Sequence, residues 1–285
     1  MKKNVTKPPW LKVKAFQGQS YDEVNRLLRG AGLNTVCQAA NCPNRGECFN
    51  RGTATFMILG SICTRGCRFC NVAGGIPEKV DPNEPLKVAR AAKSLKLKYI
   101  VVTSVTRDDL ADGGAGQFAD VILALRKELP DSKVEVLTPD FKNKAGAVEK
   151  VVEARPYVYN HNLETVKRLY TQVRPGADYQ LSLKLLKKVT DLSTILTKSG
   201  IMVGLGETTD ELKELFDDLA VHKVSSLTIG QYLSPSPNHL PIEKFYHPDE
   251  FEQLKETAIS CGIPIVFSGP LVRSSYMADQ INGHL

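Results

Sequence analysis

Six of the seven cysteines of this 285-residue chain lie between residues 37 and 70, and only Cys261 lies outside. Cys63-Thr-Arg-Gly-Cys67-Arg-Phe-Cys70 has the spacing C-x3-C-x2-C. Three thiolates on one short loop can wrap a compact cluster, and Gly66 permits the tight bend. A cubane cluster has four irons, so three cysteines leave one iron open to a small molecule. Structural zinc is the competing use, but it takes four ligands, often as C-x2-C pairs. No second pair follows at that spacing, and the first of the five histidines is His161. Upstream, Cys37-x4-Cys42-x5-Cys48 forms a second three-ligand set. Two iron–sulfur clusters therefore fit better than one. Cys261, near the end of a predicted helix, reads as a core residue.

These cysteines need a scaffold. Residues 1–52 read as an irregular extension with one short helix, in which Ser20 and Glu23 are spaced as a capping box. Strands are predicted at Thr53–Leu59, Tyr99–Ser104, Val134–Thr138, Tyr157–Asn160, Ile201–Leu205 and Leu227–Tyr232. Helices are predicted at Pro85–Leu95, Gly116–Leu129, Ala145–Ala154, Leu163–Tyr170, Tyr179–Ser199 and Thr209–Lys223, the last opened by a Thr208/Glu211 capping box. Strands alternating with helices, joined by right-handed crossovers, give a parallel α/β sheet. Six units are too few for a full eight-stranded barrel. The expected fold is a partial (β/α)6 TIM-type barrel over 53–246, with an N-terminal extension (1–52) and a C-terminal extension (247–285) covering its mouth. The second extension adds a helix, a strand at Ile263–Phe267 and a polar tail. The Cys63 loop follows the first barrel strand, at the end where such barrels place their active sites.

Composition narrows the class. With 42% hydrophobic and 24% charged residues, the chain is an ordinary globular protein. The net charge of +6 is spread along the sequence, and its densest patch, Lys93, Lys96 and Lys98, reads as a solvated helix face. Aromatic residues do not interleave with the basic ones, which argues against nucleic acid. No run of about 18 apolar residues suggests a membrane span. The N-terminus has lysines but no apolar signal core, so a cytoplasmic, reducing location is expected. There, clustered cysteines are metal ligands rather than disulfides.

The C-x3-C-x2-C loop, with an aromatic residue before its third cysteine, resembles the radical S-adenosylmethionine (SAM) superfamily. Adding the upstream C-x4-C-x5-C set, the whole pattern is similar to the lipoyl synthase family. The likeness runs through Asn41-Cys-Pro-Asn44, Gly52-Thr-Ala-Thr-Phe-Met57, Thr103-Ser-Val-Thr-Arg-Asp-Asp-Leu110 and Leu137-Thr-Pro-Asp140. It continues through Asn160-His-Asn-Leu-Glu-Thr-Val166, Val173-Arg-Pro-Gly-Ala-Asp-Tyr179, Gly204-Leu-Gly-Glu-Thr208, Gly230-Gln-Tyr-Leu233 and Gly269-Pro-Leu-Val-Arg-Ser-Ser-Tyr276.

The resemblance implies two [4Fe–4S] clusters and SAM as cofactors. It implies insertion of two sulfur atoms at C6 and C8 of a protein-bound octanoyl-lysine. Cys63, Cys67 and Cys70 would hold the SAM-binding cluster. Cys37, Cys42 and Cys48 would hold an auxiliary cluster that supplies the sulfur, with Ser275 as its fourth ligand and Ser274 the close alternative. Phe69 would lie near the adenine. Thr103, Ser104, Asn160, Asn162 and Glu164 would meet SAM, and the missing side chains of Gly204 and Gly206 would admit the adenine. Arg65, Arg68 and Arg273 either offset cluster charge or are solvated, and His161 reads as a satisfied polar residue. Implied partners are octanoylated lipoyl carrier domains of 2-oxoacid dehydrogenase complexes, the glycine cleavage carrier protein, and an electron donor such as ferredoxin or flavodoxin. Two alternatives stay open. One is a tRNA methylthiotransferase-type radical SAM enzyme, which usually carries extra RNA-binding modules. The other is a two-cluster electron carrier, which needs no long βα scaffold.

Overall fold

The computed structural model describes residues 7–13, 18–51 and 53–284. After a 3-10 turn at Pro9–Leu11, the extension holds helix α1 (Gln19–Gly30), strand β1 (Asn34–Thr35) and helices α2 (Val36–Ala39) and α3 (Arg45–Asn50). The series then runs β2 (Thr55–Ile58), α4 (Glu84–Ser94), β3 (Tyr99–Ser104), α5 (Ala115–Glu128), β4 (Lys133–Leu137), α6 (Ala147–Glu153) and β5 (Val158–Asn160). It continues with α7 (Tyr170–Val173), α8 (Tyr179–Leu192), β6 (Leu196–Val203), α9 (Thr209–Val221), β7 (Ser226–Gln231), α10 (Pro248–Ser260) and β8 (Ile265–Gly269). A final 3-10 segment covers Ala278–His284.

The strands form one sheet in chain order from β1 to β8. β1 pairs antiparallel with β2, and every later neighbour pair is parallel. Sequential parallel order with right-handed crossovers puts all the helices on one face and curls the sheet around the other. The six expected barrel strands are present as β2–β7. The strand expected in the C-terminal extension joins them as β8, a seventh parallel strand.

Alternation along the strands defines two faces. Ile100, Val102, Val134, Val136 and Tyr159 pack under the helices in one core, and Ile201, Val203, Leu227, Ile229 and Val266 do so in a second. The alternate residues therefore line the inside of the curl: Tyr99, Glu135, Asn160, Lys198, Gly200, Thr228 and Gly230 among them. At the bottom of this lumen Ile281, from the last 3-10 segment, packs on Val158 and Ile265 with Tyr99, Leu196 and Phe267 around it. Above it sits a buried ion pair, Lys198 Nζ to Glu135 Oε1 at 3.0 Å. Tyr99 donates to the other Glu135 oxygen at 2.7 Å. The chain end thus closes the barrel floor from inside, opposite the cysteine loop.

Several boundaries differ from the sequence reading. The helix expected through Ser199 stops at Leu192, because Ser193 turns extended and its hydroxyl bonds Val189 O. Residues 196–203 are strand instead. Lys198 and Ser199 fall at the end of the expected helix, but they are buried where β6 crosses the barrel. The helix expected over Leu163–Tyr170 is a 3-10 turn, Lys167–Leu169, followed by the single turn of α7. Helix α1 starts one residue before Ser20, with Gly18 at its N-cap, and the Ser20 side chain lies outside the described residues. The Thr208/Glu211 capping box forms as expected.

Candidate active site at the barrel mouth

The Cys63–Cys70 loop leaves β2 through two residues at positive φ, Leu59 and Gly60. It closes on itself, with Cys63 N–H donating to Ala73 O at 2.8 Å and Gly75 N–H to Cys63 O at 3.1 Å. Backbone N–H groups of Arg65 and Thr106 point at Cys63 Sγ, each at 3.4 Å, and Val72 N–H points at Cys70 Sγ at 3.5 Å. Such donors stabilise negative sulfur.

Arg65 bolts this loop to the next two strand ends. Its Nε and Nη2 donate to both Asp108 oxygens, at 2.8 and 2.9 Å. Its Nη1 and Nη2 donate to both Asp140 oxygens, at 2.7 and 2.6 Å. Burial would raise the Asp140 carboxyl, yet the Arg65 bonds and charge outweigh it and hold it at about 2. Arg65 is therefore saturated by carboxylates. Arg68 is exposed, and Arg273 is half-buried with its charge felt at Cys42.

All seven cysteines are free thiols. Burial pushes Cys37 up to about 11 and Cys70 up to about 11. Burial, then the charges of Cys37 and Cys42, pushes Cys48 up to about 12. Burial also raises Cys67, with Cys63 adding to it. Such thiols are poor nucleophiles at neutral pH but become good ligands once a metal's charge offsets their burial. Within each triplet the sulfurs act on one another. Among the described residues no group of three or more His, Cys, Asp or Glu side chains is drawn tight enough for one metal ion. A cubane differs, because each cysteine binds a separate iron and the sulfurs need not converge. The donor sets fit two clusters. Cys261, at the end of α10, is half-buried and packs against the second core, with its side chain bonded to Asp217 of α9.

A hydrogen bond joins the segments that carry the two triplets. Asn71, next to Cys70, donates to Ala39 O at 2.9 Å, two residues from Cys37. The C-terminal tail meets the second triplet. Asn44 donates to Leu271 O at 2.7 Å, and Tyr276 donates to both Glu47 oxygens at 3.1 Å.

The other expected site residues divide. Thr103 already donates to Leu137 O at 3.0 Å, whereas the buried Ser104 hydroxyl has no partner. Asn160 donates to Glu135 at 3.2 Å and leaves its Oδ1 unpaired. Asn162 donates to Glu164 Oε1 at 3.0 Å. Glu164 sits at φ 70, and its charge reaches Cys67 and Cys70. The unpaired Asn160 oxygen, on the lumen side at a strand end, fits a polar ligand. Phe69 packs, half-buried, against the second core. Gly204 and Gly206 both have positive φ. A Cβ at Gly204 would run into the Gln231 amide and the Lys244 carbonyl. That glycine thus makes room for the chain itself rather than for an adenine.

Two residues of the site escaped sequence reasoning. His239 stands 169 positions from Cys70, yet its Nε2 lies 3.1 Å from the Cys70 carbonyl. The three-proline loop Ser234–Pro241 brings it there. Buried Arg174 donates to Asn162 O at 2.8 Å and leaves its Nε without a partner. Its Val173-Arg-Pro-Gly motif was visible, but nothing local gave it a role.

His161 is a satisfied polar residue, as read. Its ring nitrogens lie 2.9 Å from Thr138 O and 3.0 Å from Ser182 Oγ. Burial, then Arg174, lowers its pKa to about 4 from the usual 6.5. The unfolded chain then binds the proton first as pH falls. Its contribution, of the order of 3 kcal/mol, is present above pH 6.5 and lost between 6.5 and 4. His161→Gln should flatten the stability profile in that window, measured by denaturant unfolding at each pH. An unchanged slope would refute the assignment.

Comparisons with known proteins agree with this geometry. The Radical SAM superfamily model matches residues 57–219. Lipoyl synthase of Caldicellulosiruptor bescii is 54% identical over 96% of this chain and 94% of its own length. Lipoyl synthase of Alkaliphilus metalliredigens is 52% identical over 96% of this chain and 95% of its own. Among solved structures, Streptococcus suis SuiB bound to S-adenosylmethionine superposes with a TM-score of 0.58 at 16% identity, covering 86% of this chain and 59% of that one. The chain thus spans less than two thirds of SuiB. Methylornithine synthase (PylB) gives 0.55 at 14% identity, covering 90% and 81%. At such identities these structures speak only for the partial-barrel fold. These matches over nearly the whole chain, with the family model over residues 57–219, place the chain in the lipoyl synthase family of the radical SAM superfamily.

Proposed function

We propose that the chain converts a protein-bound octanoyl-lysine to its lipoyl form by two SAM-dependent sulfur insertions, at C6 and C8. The observation that carries this reading is the pair of cysteine triplets, their segments joined by the Asn71–Ala39 bond, with the tail lying against the second. Cys63, Cys67 and Cys70 are the ligands for the SAM-binding cluster, and Cys37, Cys42 and Cys48 those for the auxiliary cluster. When bound, the first cluster supplies the electron that turns SAM into a hydrogen-abstracting radical, and the second supplies the sulfur.

The chain's own residues bind, orient and shield. Asn160, Asn162 and Glu164 offer the polar groups for SAM, with Thr103 more weakly placed, while Ser104 shares the helix-facing side of β3 with Ile100 and Val102. The loop carrying His239 meets the end of the cysteine loop at the Cys70 carbonyl, and Phe69 anchors that loop in the second core. Ser275 is the better fourth ligand of the auxiliary set. It has no side-chain partner among the described residues and lies between Arg273, whose charge reaches Cys42, and Tyr276, which bonds Glu47. Ser274 is already committed to Asn162. A serine oxygen is a hard donor, ill-matched to iron that prefers thiolate, and protonation releases it. A labile ligand suits a cluster that is consumed.

The substrate is the octanoylated carrier domain. Carriers of the 2-oxoacid dehydrogenase complexes and of glycine cleavage fit, and the +6 charge suits acidic partners. Ferredoxin or flavodoxin fits as reductant. Among the described residues no helix is long and apolar enough to cross a membrane, and the free cysteines suit a cytoplasmic, reducing site. The test supplies SAM, a reductant and an octanoyl-lysine peptide to anaerobically purified two-cluster protein. The expected product is heavier by two sulfurs, with two SAM consumed. Its absence with both clusters intact would overturn the reading.

A further inference from the structure

A glycine inside a strand weakens it and often marks a close backbone approach. Two lumen-facing glycines do so here. A Cβ on Gly230 of β7 would run into the Val272 carbonyl. A Cβ on Gly200 of β6 would lie 2.6 Å from Ser274 Oγ, 2.7 Å from Thr228 Oγ1 and 2.8 Å from Asn162 Oδ1. The tail after β8 therefore turns back into the lumen and threads a slot that only glycines leave open.

At the slot the tail makes a side-chain contact of its own. Ser274 Oγ donates to Asn162 Oδ1 at 3.0 Å. The other end of that amide donates to Glu164. Glu164 is held in turn by backbone bonds to the strand carrying Gly200: its N–H to Gly200 O and Met202 N–H to its own carbonyl, both at 2.9 Å. With one end bonded to the tail and the other to Glu164, the Asn162 amide is fixed in one orientation.

We propose that Ser274 is a positioning residue that couples the seating of the C-terminal tail to the ordering of Asn162 and Glu164. The proposal rests on the reading above, in which those two residues meet SAM and Ser275 serves the auxiliary cluster. Coupling of this kind is reciprocal. SAM binding steadies the tail one residue from the labile ligand, and a seated tail tightens SAM binding. One hydrogen bond makes this about a fivefold effect in each direction.

Hydrogen exchange of the 271–284 amides, with and without SAM, tests this on the two-cluster enzyme. In the unsubstituted protein SAM should slow tail exchange about fivefold. In Ser274→Ala that slowing should vanish, and the SAM dissociation constant should rise by a similar factor. A merely structural serine would change tail exchange equally with and without SAM. Gly230→Ala should expel the tail and give fast exchange in both conditions. A SAM effect that persists in Ser274→Ala, no SAM effect in the parent, or a protected tail in Gly230→Ala would each overturn the proposal. Ser275→Ala separates the two readings. Unchanged auxiliary-cluster iron and spectrum in that variant would sink the ligand assignment, while the Ser274 coupling is judged on tail exchange alone.

Discussion

Cys37→Ala should yield a protein that still cleaves SAM but forms no product carrying two sulfurs. Cys37 lies on α2, in the extension before the barrel, and its side chain is buried. The Cys63 loop hangs from β2 and is tied instead to residues 73–75, to Thr106 and to the two carboxylates on Arg65. Among the described residues the side-chain hydrogen bond between the two segments is Asn71 to the Ala39 carbonyl, and no cysteine takes part in it. Removing one of three N-terminal ligands therefore leaves the other set whole. Changes at separate sites without shared partners combine almost independently. SAM cleavage in Cys37→Ala should stay within about threefold of the parent, and iron should fall from about eight per chain to about four. Cys67→Ala should lose cleavage and insertion together. Normal lipoyl product from Cys37→Ala, or loss of SAM cleavage equal to that of Cys67→Ala, would refute the division between the triplets.

What the sequence displayed and what it hid follow one physical divide. The cysteine triplets were legible because ligand spacing is local. Strands β3, β4 and β7 were legible because the residues under the helices are Val, Ile and Leu. Strand β6 was misread at its start because its lumen face carries Lys198 and Gly200. Lysine in a strand is explained by Glu135, 63 residues away on another strand, and glycine by side chains from three distant segments, Asn162, Thr228 and the tail's Ser274. His239 was invisible for the same reason, since its partner is a carbonyl across the barrel mouth. Arg65, Asp108 and Asp140 each stood in a recognisable motif, but nothing in three separate motifs says that they meet. Pairings between distant segments are set by closure of the sheet, and single-sequence periodicity does not carry them.

That meeting has the largest consequence for stability at the site. Arg65→Ala should lower the melting temperature by about 10 °C and loosen the cysteine loop. The guanidinium is 6% exposed, Asp108 17% and Asp140 1%, so solvent screens the group little. Without Arg65 the two carboxylates face each other across a buried gap. Breaking a buried ion pair in this way typically costs about 3–5 kcal/mol, which in a domain of this size shifts the melt by about 10 °C. Arg65→Lys keeps the charge but cannot present two forks at once, so it should recover only part of the loss. Asp140→Asn keeps the shape and removes one charge. Because the folded Asp140 carboxyl lies near 2, its stabilisation is present above pH 4 and disappears as pH falls towards 2. The parent should therefore lose stability across that window, and Asp140→Asn should lose less there. Thermal melts of the three variants, with hydrogen exchange of residues 63–75, measure the effect apart from activity. SAM cleavage should fall in the same order, Arg65→Ala furthest, because the loop that carries Cys63, Cys67 and Cys70 is held to β3 and β4 by these bonds. An Arg65→Ala protein that melts within a degree or two of the parent and keeps its loop protected would show that the self-closing backbone from 63 to 75 suffices, and that the clamp is dispensable.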